Sequence, residues 1–322
     1  MAVFTKINKR DIFNIQNFFN IGKIISYRGI KEGIENTNYL ISTKRQKFIL
    51  TIFEKRVKKK DLPFFMKLMD KLSNLKIKCP SPLKSKKGNY LFNLKSKKAC
   101  LVSFLKGKDK KKLKKKDLYV IGKNIGKMHK ASRKIKLYRK NSFSPLKIKN
   151  LLDGINKNKI NKLSKNLVSE MQNTFTEIKQ EWPKTLPKNI IHGDLFIDNI
   201  FFHKGKFLGF IDFYFSSNDF EAYELATCIN ALCFNKRKKK FSYDKDKTLQ
   251  LIKGYETIRK LQKKEKDCLN ILCKGSALRY LATRSYDYIN TPKSAIIKKK
   301  DPREYIQKLA FHKKINSFSS YI

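Results

Sequence analysis

Two aspartates and an asparagine carry the chemistry most legible in this chain. Residues 192–202 read HGDLFIDNIFF, and KFLGFIDF follows at 206–213. His192, Asp194, Asp198 and Asn199 interrupt the first apolar run, and Asp212 interrupts the second. Lys204 and Gly205 between them have the composition of a two-residue hairpin turn. That turn predicts His203 facing Lys206, Asn199 opposite Phe210, and Asp212 as the diagonal neighbour of Asn199 on the same face. A carboxamide oxygen and a carboxylate meeting at a hairpin edge make a hard-cation site suited to Mg²⁺, whose shell is completed by water and phosphate. Asp194, five residues before Asn199 on the loop leading in, is then left to act as a base. The order D-x-x-x-x-N followed by a separate metal aspartate is the logic of phosphoryl transfer: the loop Asp accepts a hydroxyl proton while Asn and the second Asp hold Mg²⁺. Reading Asp194 as a turn residue and Asp212 as a strand cap leaves unexplained why polar groups break two apolar runs on a shared face.

A loop of this kind needs a scaffold on both sides. From Ile24 to Phe53 the chain is strand-rich, with IISYRGI, YLIST and FILTIF separated by the polar segment KEGIENTN and the charged turn KRQK. DLPFFMKLMDKLSNL, from Asp61, has an acidic N-cap candidate, Pro63 in its first turn and apolar residues at helical spacing. Further strands are predicted at 90–94 and 99–105. Residues 1–105 thus form a small α/β lobe. Gly107 and the lysine run at 106–117 mark a composition shift into a larger helical lobe, 106–322. There helices are predicted over DLYVIGKNIGKMHKAS, over LVSEMQNTFTEIKQEW up to Pro183 and Pro187, and over 221–234, 244–260, 264–290 and 301–314, with a polar loop at 140–165.

Composition narrows the function classes. The 322 residues are 41% hydrophobic, enough for a sizeable core. The formal charge of +49 points first to nucleic acid, yet it comes from 64 Lys against 11 Arg. Arginine is the better bidentate reader of phosphates and bases, so a dispersed lysine excess reads as a solvated surface, and no specific nucleic-acid partner is expected. The six cysteines show no metal or CxxC spacing and read as reduced core thiols. Neither a signal peptide nor a membrane span is visible, so a cytoplasmic chain with no membrane partner is expected.

The catalytic run, together with GFIDFYFSSNDFEAYELA, resembles the aminoglycoside phosphotransferase-like superfamily, bilobal relatives of the protein kinases. More narrowly, MAVFTKIN, YRGIKEGIENTNYL, FILTIFEKR, DLPFFMKLM, DFYFSSNDFEAYELATCINALCF, GYE and ALRYLATRSYD are similar to the bacterial homoserine kinases, from Met1 to about His312. The resemblance implies an α+β protein kinase-like fold, with a small antiparallel-sheet lobe and a larger, mainly helical one. It implies ATP and Mg²⁺ as cofactors and phosphorylation of the L-homoserine side-chain hydroxyl. By its pattern Asp194 is the catalytic base, Asn199 and Asp212 are the Mg²⁺ ligands, and His192 braces the loop. Glu224 stands where relatives carry an Asp that steadies the loop backbone. Gly33, Asn36 and Asn38 would lie by the ATP phosphates, and the main chain near Ser103 and Leu105 would receive adenine. The third-strand lysine of the pattern is absent: Thr51 occupies its place, leaving Lys55 or Arg56 as candidates for the missing charge.

An amino-acid substrate needs a cation for its carboxylate and an acceptor for its ammonium group. Arg279 and Arg284, close in sequence to Tyr286 and Asp287, and Tyr214 and Asp219 after the metal aspartate, are the candidates; each also reads as a helix-surface pair or a loop cap. Two alternatives stay open. One keeps the fold and changes the acceptor to choline, a sugar or an aminoglycoside. The other is a basic nucleic-acid-binding protein that has lost catalysis.

Overall fold

The structure, a computed structural model, describes residues 4–30, 36–54, 57–291 and 300–322. Gly33, Lys55 and Arg56 lie outside the described residues. The chain divides into two compact units: residues 1–108 with 201–214, and residues 109–200 with 215–322. The sequence reading placed 201–214 in the larger lobe, whereas this hairpin groups with the N-terminal unit.

The first unit begins with α1 (Lys9–Phe19), a helix the sequence reading did not anticipate. Its start is a capping box: Asn8 Oδ1 accepts the Asp11 amide at 3.0 Å and the Asp11 carboxylate accepts the Asn8 amide at 2.8 Å. Strands β1 (Ile24–Gly29), β2 (Thr37–Thr43) and β3 (Lys47–Ile52) follow as a meander. Next come α2 (Leu62–Asn74), β4 (Leu91–Leu94) and β5 (Lys97–Ser103). The sheet order is β1-β2-β3-β5-β4, with every pairing antiparallel. Ile15 and Phe19 of α1 close one core with Tyr39, Ile41, Leu50, Ile52 and Leu101 of the sheet. Pro63 falls in the first turn of α2 as expected, but Asp61 does not cap the helix with its side chain. It sits in the αR region at the end of a 3₁₀ turn.

The second unit opens with α3 (Lys115–Ser132), short helices α4 (Lys149–Asp153) and α5 (Lys157–Asn161), then α6 (Leu167–Glu181). The predicted polar loop at 140–165 therefore contains helical turns, because Leu152 and Ile160 are drawn into the core. Strand β6 (Lys188–Ile191) leads to the segment 192–199, after which β7 (Ile200–His203) and β8 (Lys206–Phe210) form the predicted hairpin. Lys204 and Gly205 both take left-handed backbone, with φ of 46° and 79°, as a type I′ turn requires. The chain then runs through β9 (Ser217–Phe220), α7 (Glu221–Leu232), β10 (Phe234–Arg237), β11 (Lys240–Tyr243) and α8 (Lys245–Glu256). It ends with α9 (Lys263–Asp267), α10 (Leu269–Asn290) and α11 (Arg303–Lys313). Helix α10 contributes Ala277, Leu278, Leu281 and Ala282 to a core shared with Met171 and Ile178 of α6 and Leu309 of α11.

The pairing of α3 with α8 depends on two glycines. A Cβ on Gly122 would stand 2.0 Å from the Leu251 carbonyl oxygen, and one on Gly254 would stand 2.0 Å from that of Tyr119. Each glycine lets the backbone of the facing helix approach, so a methyl group must push the helices apart. Gly254→Ala is expected to cost about 3 kcal/mol or more, at the upper end for overpacking, measured by urea unfolding.

Candidate active site

Strands β6 and β9 pair antiparallel from Lys188↔Phe220 to Ile191↔Ser217, and this short ladder ends where the catalytic run begins. His192 and Gly193 turn the chain out of the strand. Gly193 has φ +78°, and a Cβ there would sit 3.0 Å from the Phe215 carbonyl oxygen. Glycine is needed twice over, for its left-handed backbone and for the close approach. Gly193→Ala should cost about 1–3 kcal/mol of stability, read from thermal melts, and lower turnover by a larger factor because Asp194 is the next residue.

Glu224, on the first turns of α7, holds this bend. Its carboxylate accepts the His192 amide and, at 3.1 Å from Oε1, the Gly193 amide. The added methylene relative to an aspartate does not prevent the bracing role, since the glutamate reaches both amides. The side chain is fully buried. Burial alone would raise its proton affinity, but hydrogen bonding from His129, the positive influence of His192 and the backbone amide hold the carboxyl below its usual range. His192 is fully buried too, and its carbonyl oxygen accepts the Ser216 hydroxyl at 3.4 Å.

Asp194 is half-buried. Its Oδ1 accepts the Tyr280 hydroxyl at 3.0 Å. The Asn199 Nδ2 donates to the Asp194 carbonyl oxygen at 2.8 Å and lies 3.4 Å from Oδ2. The amide nitrogen of Asn199 is thus turned toward Asp194, which leaves its oxygen as the group suited to a cation. Asn199 is the last residue of a 3₁₀ turn, Ile197–Asn199, and not part of the ladder: β7 starts at Ile200. The predicted place of Asn199 opposite Phe210 thus falls one residue before the strand, and the Phe210 amide donates to the Lys78 carbonyl at 3.0 Å. Asp198 is exposed, with Lys300 Nζ 3.7 Å away.

Asp212 belongs to the first unit and lies two residues past the end of β8. It is exposed and takes φ +64°, a conformation an L-residue adopts at a cost and that Asp tolerates better than most. Two residues on, Tyr214 packs edge-on against Phe53 and Phe65, with ring centroids 5.1 and 5.8 Å apart. Its hydroxyl lies 3.9 Å from Cys100 Sγ. Burial and the neighbouring Cys100 push its phenol well above the usual range, while a hydrogen bond with Thr51 works the other way. The Thr51 hydroxyl donates to Asn38 Oδ1 at 2.8 Å. Asn38, Thr51 and Cys100 are cross-strand neighbours, so the place of the absent lysine is filled by a hydrogen-bonded polar row. Tyr214 thus serves the sheet of its own unit.

The nucleotide-loop candidates divide in the same way. Asn36 Oδ1 accepts the Glu54 amide at 3.4 Å, just past β3, and Asn38 Oδ1 accepts the Thr51 hydroxyl of β3. Ser103 uses its amide and hydroxyl on Ser81: its N–H donates to the Ser81 carbonyl at 2.8 Å and its Oγ accepts the Ser81 amide at 2.9 Å. The Leu105 carbonyl accepts the Gly107 amide at 2.8 Å. Ser103 borders a cavity of about 340 Å³ with Gln46, Lys47, Phe104 and Lys106.

The substrate candidates of the second unit are also engaged. Asp219 accepts Asn141 Nδ2 at 2.7 Å, and burial raises its carboxyl. Arg284 donates to Glu304 at 2.7 Å and lies over the Tyr305 ring at 4.5 Å. Arg279 Nη1 donates to the Gly193 carbonyl at 3.0 Å. Tyr280 was not anticipated: it sits 86 positions after the aspartate it touches, and only the three-dimensional course of α10 brings them together.

Similarity to known proteins fits this geometry. The model of the phosphotransferase enzyme family matches residues 26–246, more than half the chain and all of the catalytic run. The chain belongs to this phosphotransferase family. A homoserine kinase of Chelativorans sp. is 39% identical over 321 residues, covering 100% of this chain and 98% of that relative. A homoserine kinase of Agrobacterium fabrum is 40% identical over the same length, with 100% and 98% coverage. Among solved structures, an amicoumacin kinase in complex with AMP-PNP and Ca²⁺ superposes with a TM-score of 0.73 at 14% identity, covering 96% of this phosphotransferase and 92% of that chain. A spectinomycin phosphotransferase gives 0.68 at 12% identity, covering 98% of both chains. At such identities the structural likeness speaks for the fold: a kinase-like architecture with an antiparallel sheet in the N-terminal unit and a helical second unit. Among the described residues no helix of this phosphotransferase is long and apolar enough to cross a membrane. None of the cysteines pairs in a disulfide; five are buried, and Cys268 is half-buried.

Proposed function

We propose that this phosphotransferase is an ATP-dependent homoserine kinase, transferring the γ-phosphoryl group to the side-chain hydroxyl of L-homoserine. The observation that carries the reading is 39–40% identity to homoserine kinases along essentially the whole of both chains. The catalytic loop agrees with it. Asp194 presents a carboxylate held by Tyr280 and Asn199, and it would align the acceptor hydroxyl and take its proton as the phosphoryl group moves. Glu224 fixes the bend that delivers this carboxylate. Catalysis then rests on positioning and on stabilising charge, with little bond-making asked of the protein.

Asn199 and Asp212 would hold Mg²⁺. They fit it chemically, one offering a carboxamide oxygen and the other an exposed carboxylate, both hard donors. The bound ion would neutralise phosphate charge. The polar row at Thr51 stands where the family pattern has a lysine.

The test is Mg·ATP-dependent ADP release with L-homoserine, against L-serine and choline. Turnover with homoserine and little with the others is expected. Absence of any homoserine-dependent release removes the reading, and release with choline instead supports a kinase of another acceptor.

A further inference from the structure

We propose that Arg279 is a positioning residue that orients the catalytic aspartate, and that it is not the cation binding the substrate carboxylate. The inference rests on the homoserine kinase reading for its catalytic readout. Arg279 lies in α10 and is 4% exposed. A guanidinium taken out of water is costly unless its donors and charge are matched. Here Nη1 donates to the Gly193 carbonyl at 3.0 Å, and the group lies between two aromatic faces, 4.6 Å from the Tyr280 centroid and 5.5 Å from that of Phe143. A substrate carboxylate would need an accessible pair of parallel N–H groups, and this guanidinium is instead enclosed by protein.

The carbonyl it holds is the informative part. Two successive peptide planes meet at Gly193. The first carries the Gly193 amide, pinned by the Glu224 carboxylate at 3.1 Å; the second carries the Gly193 carbonyl, pinned by Arg279 at 3.0 Å, with the Tyr280 hydroxyl a longer second donor at 3.3 Å. The rotations about Gly193 are the only soft freedom between those planes. Glycine without a Cβ would otherwise use that freedom widely. Fixing both planes fixes the +78° φ of Gly193, and with it the direction in which Asp194 leaves the bend. Glu224 on α7 and Arg279 on α10 therefore act as two jaws on one residue, and the charge of the second jaw interacts favourably with the Asp194 carboxylate.

The experiment compares Arg279→Lys and Arg279→Ala with the parent chain. A positioning role predicts that Arg279→Lys lowers kcat by about 10- to 100-fold, as expected for a small misplacement of a reacting group, with KM for homoserine within about threefold. Guanidinium ion added to Arg279→Ala should restore part of kcat. Hydrogen exchange of the amides in residues 192–199 should be faster in both variants without any substrate present. A KM for homoserine raised tenfold or more with kcat retained would overturn the proposal and return Arg279 to the substrate carboxylate, as would unchanged kcat and exchange. If the parent chain does not turn over homoserine, the functional reading fails, and the exchange measurement still decides the clamp.

Discussion

Asp194→Asn lowers kcat by about 10²–10⁴-fold while leaving the fold and ATP binding close to those of the parent chain, as measured by steady-state turnover, melting and nucleotide titration. The substitution is nearly isosteric, so the Tyr280 hydroxyl still finds an acceptor oxygen at this position and the Asn199 bond to the Asp194 main-chain carbonyl is untouched. What disappears is the anionic oxygen able to take the acceptor proton. A thousandfold loss corresponds to about 4 kcal/mol of transition-state stabilisation, more than any single hydrogen bond of the loop contributes to stability. The effect should fall on kcat and kcat/KM together, with KM for ATP little changed, because the lost interaction belongs to the transition state. Turnover within a few-fold of the parent chain would remove Asp194 from its assigned role.

The legibility of this site in the sequence followed the range of the interactions involved. Asp194, Asn199 and Asp212 stand out as candidates because phosphoryl transfer uses fixed residue types at short spacings, and the Lys204–Gly205 turn was readable because two left-handed residues demand that composition. The sheet strands were readable as apolar runs between turn residues. Helix α1 was overlooked although the Asn8/Asp11 capping box stands in the sequence, since KRDIFNIQNFF offers only two fully inward positions, Ile15 and Phe19. The β10–β11 hairpin hid within FNKRKKKFSY, where lysines mask the alternation, and β9 within the polar SNDF. Arg279 stood out as a cation, but the same sequence fits a substrate ligand or a loop clamp. Only the buried course of α10 past Gly193 distinguishes them. Thr51 was recognised as a departure from the family pattern, whereas its compensation by Asn38 and Tyr214 depends on cross-strand register and on a residue 163 positions away.

Glu224→Gln should destabilise the second unit by about 2–4 kcal/mol and reduce turnover further than that loss alone explains, measured by denaturant unfolding beside kinetics on the still-folded enzyme. A carboxylate with two acceptor oxygens receives the His192 and Gly193 amides together; a carboxamide keeps one acceptor and turns an NH₂ group toward the other donor. One backbone amide is then buried opposite another donor, and the Gly193 bend loses one of the contacts that fix it. The pH dependence gives this prediction a second, independent reading. The folded-state carboxyl of Glu224 is held below its usual range, so its contribution to stability is fully present above the unfolded-state pKa and is lost as pH falls through the lower folded value. The parent chain should therefore lose stability steeply in acid, and the Gln variant should lose less over the same window because it has no proton to take up there. The two unfolding free energies converge as pH drops. Parallel curves across the acid range would mean that folding leaves the Glu224 carboxyl unshifted, and a parent chain that gains on the Gln variant as pH falls would mean that the two amides at the bend are held by a neutral acid.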